Sequence, residues 1–339
     1  MSRETIVLDH LGPREAAARL VAGRLEDVLI DGDAPRVGTI YRAICERPVK
    51  GQGGMFLRTP DGPAFLRQVR GLAPGQPLLV QVTGQAEPGK ALPVTQKILF
   101  KSRYAIVTPD APGLNISRRI KDDDRRDVLI QIARSEMEGA EMGLILRSSC
   151  LDTDDGEIAE DIRAMADLAA TVMADAEGEA EVLLEGDGPH QLAWRDWSAP
   201  ADVVTEPGGF EAEGVLDQLD LLAGAHVPLA AGAAMYVEPT RALVAVDVNT
   251  GADTSPAAGH KANLAAAREL PRQLRLRGLG GQITLDLAPM AKKDRRQFED
   301  ALRAAFRADT GETALVGWTP LGHYELQRKR DRAPLEWPL

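Results

Sequence analysis

The most constraining feature of the sequence is an alternation of strand-like and helix-like segments in its last hundred residues. Apolar and amphipathic patterning predicts two strands, a helix, a strand and a second helix, at residues 233–238, 242–248, 260–277, 283–287 and 292–307. Strand, helix and strand in close succession predict a βαβ unit, in which 242–248 and 283–287 are parallel neighbours. Pro271 lies within the first helical pattern and is expected to kink that helix or shift its start.

Two aspartates lie at the ends of these two predicted strands. Asp247 closes the first strand and Asp286 lies near the end of the second. Parallel neighbours place their carboxyl ends side by side, about 5 Å apart, in the crevice where α/β proteins bind ligands. Two such carboxylates suit Mg²⁺, with Asn249 available to orient a phosphate or a water. The alternative is that each aspartate only caps a helix or turn, and the residues alone favour neither interpretation.

The rest of the chain predicts a mixed α/β protein of more than one domain. The N-terminal segment predicts a strand at 5–8, a helix at 13–23 and a strand at 28–30. Short alternating runs between Gly and Pro turns at 36–98 predict a small β-barrel. A βα pattern follows up to residue 150, and then an acidic, Ala-rich helix over 154–175.

Charge is distributed unevenly along the chain. The net charge is −11, which by itself argues against a nucleic-acid partner. Residues 151–240, however, hold 2 Lys and Arg against 21 Asp and Glu, whereas residues 1–150 hold 22 against 18 and residues 261–339 hold 15 against 10. The two flanking regions are therefore basic enough to contact an anionic polymer. The sequence shows no secretory signal and no membrane-spanning run, which predicts a cytoplasmic protein.

Several motifs resemble those of the ribonuclease E/G family. The clearest are AVDVNT at 245–250, NL at 263–264, RQLRLR at 272–277, LGG at 279–281 and LDL at 285–287. Further similarities, which extend the resemblance over essentially the whole chain, are VGTIY at 37–41, NISRRI at 115–120, MGLILRS at 142–148 and RDW at 195–197.

The resemblance implies a domain organisation. It predicts a ribonuclease-H-like domain formed by residues 1–35 and 183–225, interrupted by an S1 RNA-binding barrel of the OB type at 36–98. A region that senses RNA 5′ ends is expected at 99–182. A deoxyribonuclease-I-like catalytic α/β domain is expected at 226–339.

The resemblance also implies a function. Members are Mg²⁺-dependent endoribonucleases that cut single-stranded RNA in RNA processing or decay and leave 5′-phosphate and 3′-hydroxyl ends. The catalytic residues correspond to Asp247, Asn249 and Asp286, of which the two aspartates bind the metal. Mg²⁺ is the expected ion, with Mn²⁺ as an alternative. The metal polarises the phosphate and lowers the pKa of a water that then attacks it.

Two further sites follow from the resemblance. The pocket that senses a 5′-monophosphate corresponds to Arg147 and Ser148, with Ser102 and Ile106 contributing. An Arg at a strand end is, however, often only a surface ion pair. RNA bases are expected to stack on Phe56 and Phe65 of the barrel, and the alternative is that both rings belong to its core. The remaining cations expected to face RNA are Arg118 and Arg119, together with Lys50, Arg58, Arg67 and Arg70.

The sequence also departs from the family pattern. The zinc-link motif CPxCxGxG does not occur, and the basic residues usual at positions 252 and 320 are replaced by Ala252 and Pro320. The two cysteines and five histidines include no pair within four residues, so no structural zinc is expected. A monomer or a weak homodimer is therefore predicted. The alternative function is a weakly active or inactive RNA- or ribosome-binding relative with a vestigial metal site.

Overall fold

The computed structural model describes residues 3–49, 53–69, 71–87, 89–197 and 200–338. Lys50 and Arg70 lie outside the described residues. The chain divides into two compact units: the first unit combines Met1–Gly32 with Ala201–Leu339, and the second unit is Asp33–Pro200. None of the helices in the described ranges is long and apolar enough to cross a membrane.

Within the described residues the chain forms twenty β-strands, numbered in chain order: β1 Glu4–Leu11, β2 Arg14–Val21, β3 Arg24–Ile30, β4 Ile40–Val49, β5 Gly54–Thr59, β6 Gly62–Leu66, β7 Pro77–Val82, β8 Leu92–Thr95, β9 Phe100–Lys101, β10 Ala105–Thr108, β11 Leu114–Ile116, β12 Gly143–Leu146, β13 Glu181–Leu184, β14 Asp202–Val204, β15 His226–Pro228, β16 Ala234–Pro239, β17 Val244–Asn249, β18 Gly281–Asp286, β19 Thr313–Trp318 and β20 Tyr324–Arg328.

The same part of the chain forms seven α-helices: α1 Asp123–Glu136, α2 Asp155–Ala174, α3 Pro189–Asp196, α4 Gly209–Ala212, α5 Val215–Ala223, α6 Ala258–Leu276 and α7 Arg295–Ala308. α2 and α7 confirm the helices predicted over 154–175 and 292–307. α6 is continuous through Pro271, so the proline does not shift the start of this helix.

The second unit contains a closed five-stranded barrel. Its strands are hydrogen-bonded in the order β4-β5-β6-β8-β7, and β7 pairs back with β4 to close the ring. β13 pairs with the first residues of β4, from Ile40 to Arg42. This barrel, of the OB type, confirms the prediction made for residues 36–98. A separate sheet of order β11-β12-β10-β9 packs against α1 and α2.

The first unit contains two sheets. A four-stranded sheet of order β14-β1-β2-β3 packs against α4 and α5. A six-stranded sheet of order β15-β16-β17-β18-β20-β19, called here the β15–β20 sheet, carries α6 and α7 against one of its faces. The mixed α/β class is therefore confirmed, whereas the ribonuclease-H-like and deoxyribonuclease-I-like assignments stay predictions.

The helix predicted over 13–23 is wrong, because these residues form β2, a strand between β1 and β3. The run of alanines favours a helix when it is considered alone. Both ends of the segment are tight turns, however, since Gly12 has a φ of 63° and the pair Ala22-Gly23 has φ values of 52° and 77°. Two consecutive positive φ values are the signature of a hairpin turn, and they commit the chain to antiparallel strands.

Arginines at the C-terminal end of α6 attach that helix to the rest of the first unit. Arg272 donates to the carbonyl oxygen of Leu25 at 2.7 Å, and Arg275 donates to the carbonyl oxygen of Glu26. The buried Arg277 donates to the carbonyl oxygens of Leu222 and Gly224, at 3.0 and 2.7 Å. The RQLRLR motif therefore serves the packing of α6 in this structure.

Candidate active site

The side chains of β17 alternate between the core and the solvent. Val244, Val246 and Val248 are buried under the helices, whereas Asp247 and Asn249 are exposed on the opposite face. This period of two is what a strand covered on only one face requires. Asp247 and Asn249 therefore lie on the same open face of the β15–β20 sheet.

Asp286 lies beside Asp247 on this open face. β17 and β18 are parallel, and their paired residues run from Val244–Ile283 to Asp247–Asp286. Asp286 is exposed, with 70% of its side chain accessible, while Ile283 and Leu285 face the core. The predicted βαβ arrangement and the adjacency of the two aspartates are thus confirmed. The pair stands on the uncovered face of the sheet, and its strands are about 5 Å apart.

In the described part of the chain, no Lys or Arg neutralises either carboxylate of this pair. Among the described residues no Lys or Arg lies within 4.0 Å of Asp247 or Asp286. Asp247 accepts a hydrogen bond of 2.6 Å from the Asn249 amide nitrogen, and Asp286 lies 3.7 Å from the imidazole Nε2 of His323. Two adjacent carboxylates repel each other unless a cation lies between them. The donor set therefore fits a hard divalent cation.

The site offers few protein ligands. In the described ranges no group of three or more His, Cys, Asp and Glu side chains is arranged to hold a metal ion. Two carboxylates suit Mg²⁺, which retains several waters and binds proteins through one or two carboxylates together with substrate phosphates. The exposed, two-carboxylate site therefore leaves coordination positions for water and phosphate.

Asn263 holds the chain that follows Asp286. This fully buried side chain of α6 donates to the carbonyl oxygen of Ala288 at 2.8 Å and accepts from its backbone nitrogen at 3.0 Å. Both polar atoms of the amide are thereby used, as a buried amide requires. The contact fixes the backbone two residues beyond Asp286.

Gly259 permits this close approach of α6. A Cβ atom at this position would lie 2.0 Å from the carbonyl oxygen of Pro289. We expect Gly259→Ala to destabilise the protein by about 1–3 kcal/mol, because helix and loop must separate. Thermal unfolding measures the loss. Gly224→Ala is the matched control, since no atom lies within 4 Å of its added Cβ, and an unchanged melting temperature in both variants would contradict the packing argument.

Phe56 and Phe65 form a cross-strand pair on β5 and β6. Their ring centroids are 5.1 Å apart, and the Arg47 guanidinium lies 4.9 Å from the centroid of Phe56. Both rings are half-buried, and the buried cluster that fills the barrel is made of other residues. The two rings thus lie outside the barrel core, where a base can reach them.

Arg147 and Ser102, predicted for the 5′ sensor, are brought together. Arg147 donates to the carbonyl oxygen of Ser102 at 2.6 Å, to that of Arg195 at 3.1 Å and to the Asp196 carboxylate at 2.7 Å. The Ser102 hydroxyl hydrogen-bonds the carboxylate of Asp161. The guanidinium proposed to bind phosphate is therefore occupied by a carboxylate of its own chain.

Asp196 is held in its charged form. Burial alone would raise the pKa of Asp196, but hydrogen bonds and positive charge from Arg195 and Arg147 hold it below its usual value. At Asp161, by contrast, burial raises the pKa above its usual value. A phosphate that approaches Arg147 must compete with the Asp196 carboxylate.

Of the other predicted site residues, Ser148 and Ile106 are half-buried, whereas Arg118 and Arg119 are exposed. Ser148 begins a short 3₁₀ turn after β12, and Ile106 pairs with Ile145 across β10 and β12. Arg118 and Arg119 are exposed before α1, and neither has a carboxylate partner among the described residues. These two arginines are free to contact an anion.

The comparison with known proteins decides the family. The sequence model of the Ribonuclease E/G family matches residues 100–203 and 198–331. This chain belongs to the ribonuclease E/G family. Similar proteins include ribonuclease E of Nostoc sp., 26% identical over 97% of this chain and 56% of the relative, and ribonuclease E of Synechocystis sp., 27% identical over 93% and 55%. Ribonuclease G of Escherichia coli K12 is 26% identical over 99% of this chain and 81% of the relative.

The chain spans about half the length of the two ribonucleases E. Within the family-matched region, the structure reveals two residues that sequence reasoning missed. His323 faces Asp286 because β20 pairs with β18, and Asn263 anchors the segment after Asp286. Asn263 carried a signal, since it belongs to the NL motif, but its buried position could not be read from the sequence. His323 carried none.

Proposed function

We propose that this protein is a Mg²⁺-dependent endoribonuclease that hydrolyses single-stranded RNA and leaves 5′-phosphate and 3′-hydroxyl ends. The observation that carries the proposal is the register of β17 and β18, which sets Asp247 beside Asp286 on an open face where the described residues include no Lys or Arg partner for either. Membership of a family whose similar proteins are named ribonucleases supports the RNA substrate. Mn²⁺ is the alternative ion.

Asp247, Asp286 and Asn249 each have a role in this proposal. Asp247 and Asp286 would hold the cation, and the Asn249 amide fixes the carboxylate of Asp247 by its hydrogen bond. A bound Mg²⁺ supplies a Lewis acid for the phosphate and a water of lowered pKa. The open face lets an extended strand lie across the sheet, because α6 and α7 pack on the other side.

RNA contacts outside the active site are proposed at two places in the second unit. The exposed faces of Phe56 and Phe65 would stack bases irrespective of sequence, with Arg47 beside them as a cation. Arg118 and Arg119 would contact phosphates. The stacking contacts favour single strands over duplexes, in which the bases are already stacked.

A cleavage assay on a 5′-monophosphorylated single-stranded oligonucleotide tests the proposal. We expect fragments with Mg²⁺, none after EDTA, and weaker cleavage of the same sequence in a duplex. The downstream fragment should be ligatable without prior phosphorylation, and the upstream fragment should be extendable at its 3′ end. An oligonucleotide that binds but is never cut would show instead an RNA-binding relative with a vestigial metal site.

The contact between Arg147 and Asp196 leads to a testable prediction about 5′-end sensing. Arg147→Ala should reduce the rate ratio between 5′-monophosphate and 5′-hydroxyl substrates towards one, because the guanidinium would grip the phosphate. Asp196→Asn should raise that ratio, by about five-fold, because it removes the carboxylate that occupies Arg147. The measurement is the ratio of single-turnover rates on the two substrates.

Asp187→Asn is the matched control for this pair of variants. Asp187 forms an ion pair with Arg195 and not with Arg147. Its substitution should therefore leave the ratio unchanged. A ratio that does not respond to either Arg147→Ala or Asp196→Asn would show that 5′-end sensing does not operate at this position.

The assembly state is also a proposal. The acidic segment 151–240 would repel a second copy of itself at low ionic strength. We therefore expect a monomer or a weak homodimer without structural zinc. Light scattering that shows a stable tetramer, or elemental analysis that shows stoichiometric zinc, would contradict this.

A further inference from the structure

The hairpin of β19 and β20 contains an irregularity beside the active site. Its pairing shifts between Leu315 and Gly317, so Val316 is an extra residue without a partner on β20. Gly317 has a φ of 130°, in the region that favours glycine. Bulges of this kind commonly re-aim side chains next to functional sites.

A groove with a volume of about 630 Å³ lies over this bulge. Gly317 forms part of its lining, and a Cβ there would meet no atom within 4 Å. Val316 and Leu321 line the groove with 63% and 86% of their surfaces exposed, and Pro320 lies beside them. An exposed apolar surface of this kind next to polar groups is typical of a binding site.

The polar lining of the groove leads to the candidate active site. His323 and Glu325 line it, and Glu325 lies on the open face of the sheet, where it pairs with Thr284 of β18. Since Leu285 pairs with Tyr324, the next position places His323 beside Asp286, and the two side chains are 3.7 Å apart. His323 thus belongs both to the groove and to the surroundings of the carboxylate pair.

We propose that this groove binds one nucleobase of the RNA strand, that of a nucleotide next to the phosphate held at Asp247 and Asp286. The inference rests on the proposed function, because the groove is assigned to a nucleobase on the ground that it adjoins the proposed cleavage site. The apolar side chains of Val316 and Leu321 would contact the faces of the base, and the open space over Gly317 admits a flat ring. A base in the groove fixes which phosphate of the strand reaches the carboxylates.

The carboxylate of Glu325 gives the groove a preference among bases. A carboxylate accepts hydrogen bonds from exocyclic amino groups, as in the recognition of cytosine N4. Uracil carries no such group. The groove is therefore expected to favour a base with an amino group over uracil, by about five-fold in affinity for one hydrogen bond of about 1 kcal/mol.

Binding of single-stranded oligonucleotides tests the groove. Ca²⁺ replaces Mg²⁺ in the buffer, so that a hard divalent cation can lie between the carboxylates and the phosphate. One abasic residue is moved through the sequence, and affinity is measured by fluorescence anisotropy. For the wild-type protein we expect one position at which the abasic residue lowers the affinity about five-fold. At that position, an oligonucleotide with uracil should bind about five-fold more weakly than one with cytosine. The double variant Val316→Ser, Leu321→Ser should bind the intact and that abasic oligonucleotide equally.

Leu221→Ser is the matched control, because Leu221 is 73% exposed on α5 and lies outside the groove. It should keep the abasic penalty of the wild-type protein. The proposal is overturned if the double variant keeps the abasic penalty at the sensitive position. It is also overturned if the wild-type protein has no sensitive position, as is expected if the hairpin binds a protein partner instead. Equal affinities for cytosine and uracil overturn the assignment of Glu325.

The outcomes separate this inference from the proposed function. A protein that cleaves RNA but shows no sensitive position overturns the groove alone. A protein that never cleaves but shows a sensitive position, lost in the double variant, overturns the endoribonuclease and keeps the base-binding groove.

Discussion

Asp247→Asn and Asp286→Asn are each expected to reduce RNA cleavage by about a thousand-fold or more, because either change removes one of two carboxylates from the proposed cation site. The fold should persist. Both side chains are exposed, and removal of one charge relieves their mutual repulsion in the absence of metal, so thermal stability should hold or rise. Cleavage rates in Mg²⁺ and melting temperatures in EDTA measure the two effects.

Glu238→Gln is the control for these variants. Glu238 is exposed on β16, and it pairs with Ala245 of β17. The substitution makes the same change of charge two strands away from Asp286 and should leave the cleavage rate within about two-fold, since an exposed charge contributes little. Near wild-type cleavage by Asp247→Asn or Asp286→Asn would refute the assignment of the site.

Asp309→Ala is expected to destabilise the first unit strongly. The Asp309 side chain is 1% exposed and forms ion pairs with Arg275 of α6 and Arg328 of β20. Its removal leaves the Arg328 guanidinium, which is 4% exposed, without this carboxylate, and leaves Arg275 with only its longer pairs to Glu26 and Asp27. Breaking a buried ion pair in this way costs about 3–5 kcal/mol. Urea unfolding of the whole chain measures the change.

Asp300→Ala is the matched control, because Asp300 pairs with Arg303 on the exposed face of α7. Exposed pairs of this type contribute about 0.3–0.5 kcal/mol. A loss of comparable size in both variants would mean that Asp309 does not anchor α6 to the sheet.

The part of the active site that sequence reasoning predicted is local in the chain. β17, α6 and β18 follow one another, and their hydrophobic periods of 2 and 3.6 residues identify them as a βαβ unit. Because consecutive strands of such a unit lie side by side, the adjacency of Asp247 and Asp286 follows from the pattern. Their catalytic role stays a prediction.

Where local pattern and tertiary pairing disagree, sequence reasoning was wrong. Residues 14–21 have the alanine content of a helix, yet they form β2 because both neighbouring segments turn back at Gly12 and Gly23 and bury the alanines between β1 and β3. The strand is stabilised by two partners that a short window of sequence does not contain.

Residues that act through distant partners could not be predicted. His323 comes close to Asp286 only because β20 pairs with β18, and Asp196 reaches Arg147 from 49 positions along the chain. The arginines of RQLRLR are recognisable as a motif. That they bind backbone carbonyls of β3 and of the C-terminal end of α5 depends on how α6 packs.

Titration of the protein with Mn²⁺, followed by electron paramagnetic resonance of the free ion, tests the central claim most directly, because it requires neither an RNA substrate nor turnover. The wild-type protein and Glu238→Gln should each bind one ion per chain at a common affinity. That site should be lost in Asp247→Asn and in Asp286→Asn. Equal binding by all four proteins, or no saturable site in the wild-type protein, would contradict a cation held between Asp247 and Asp286.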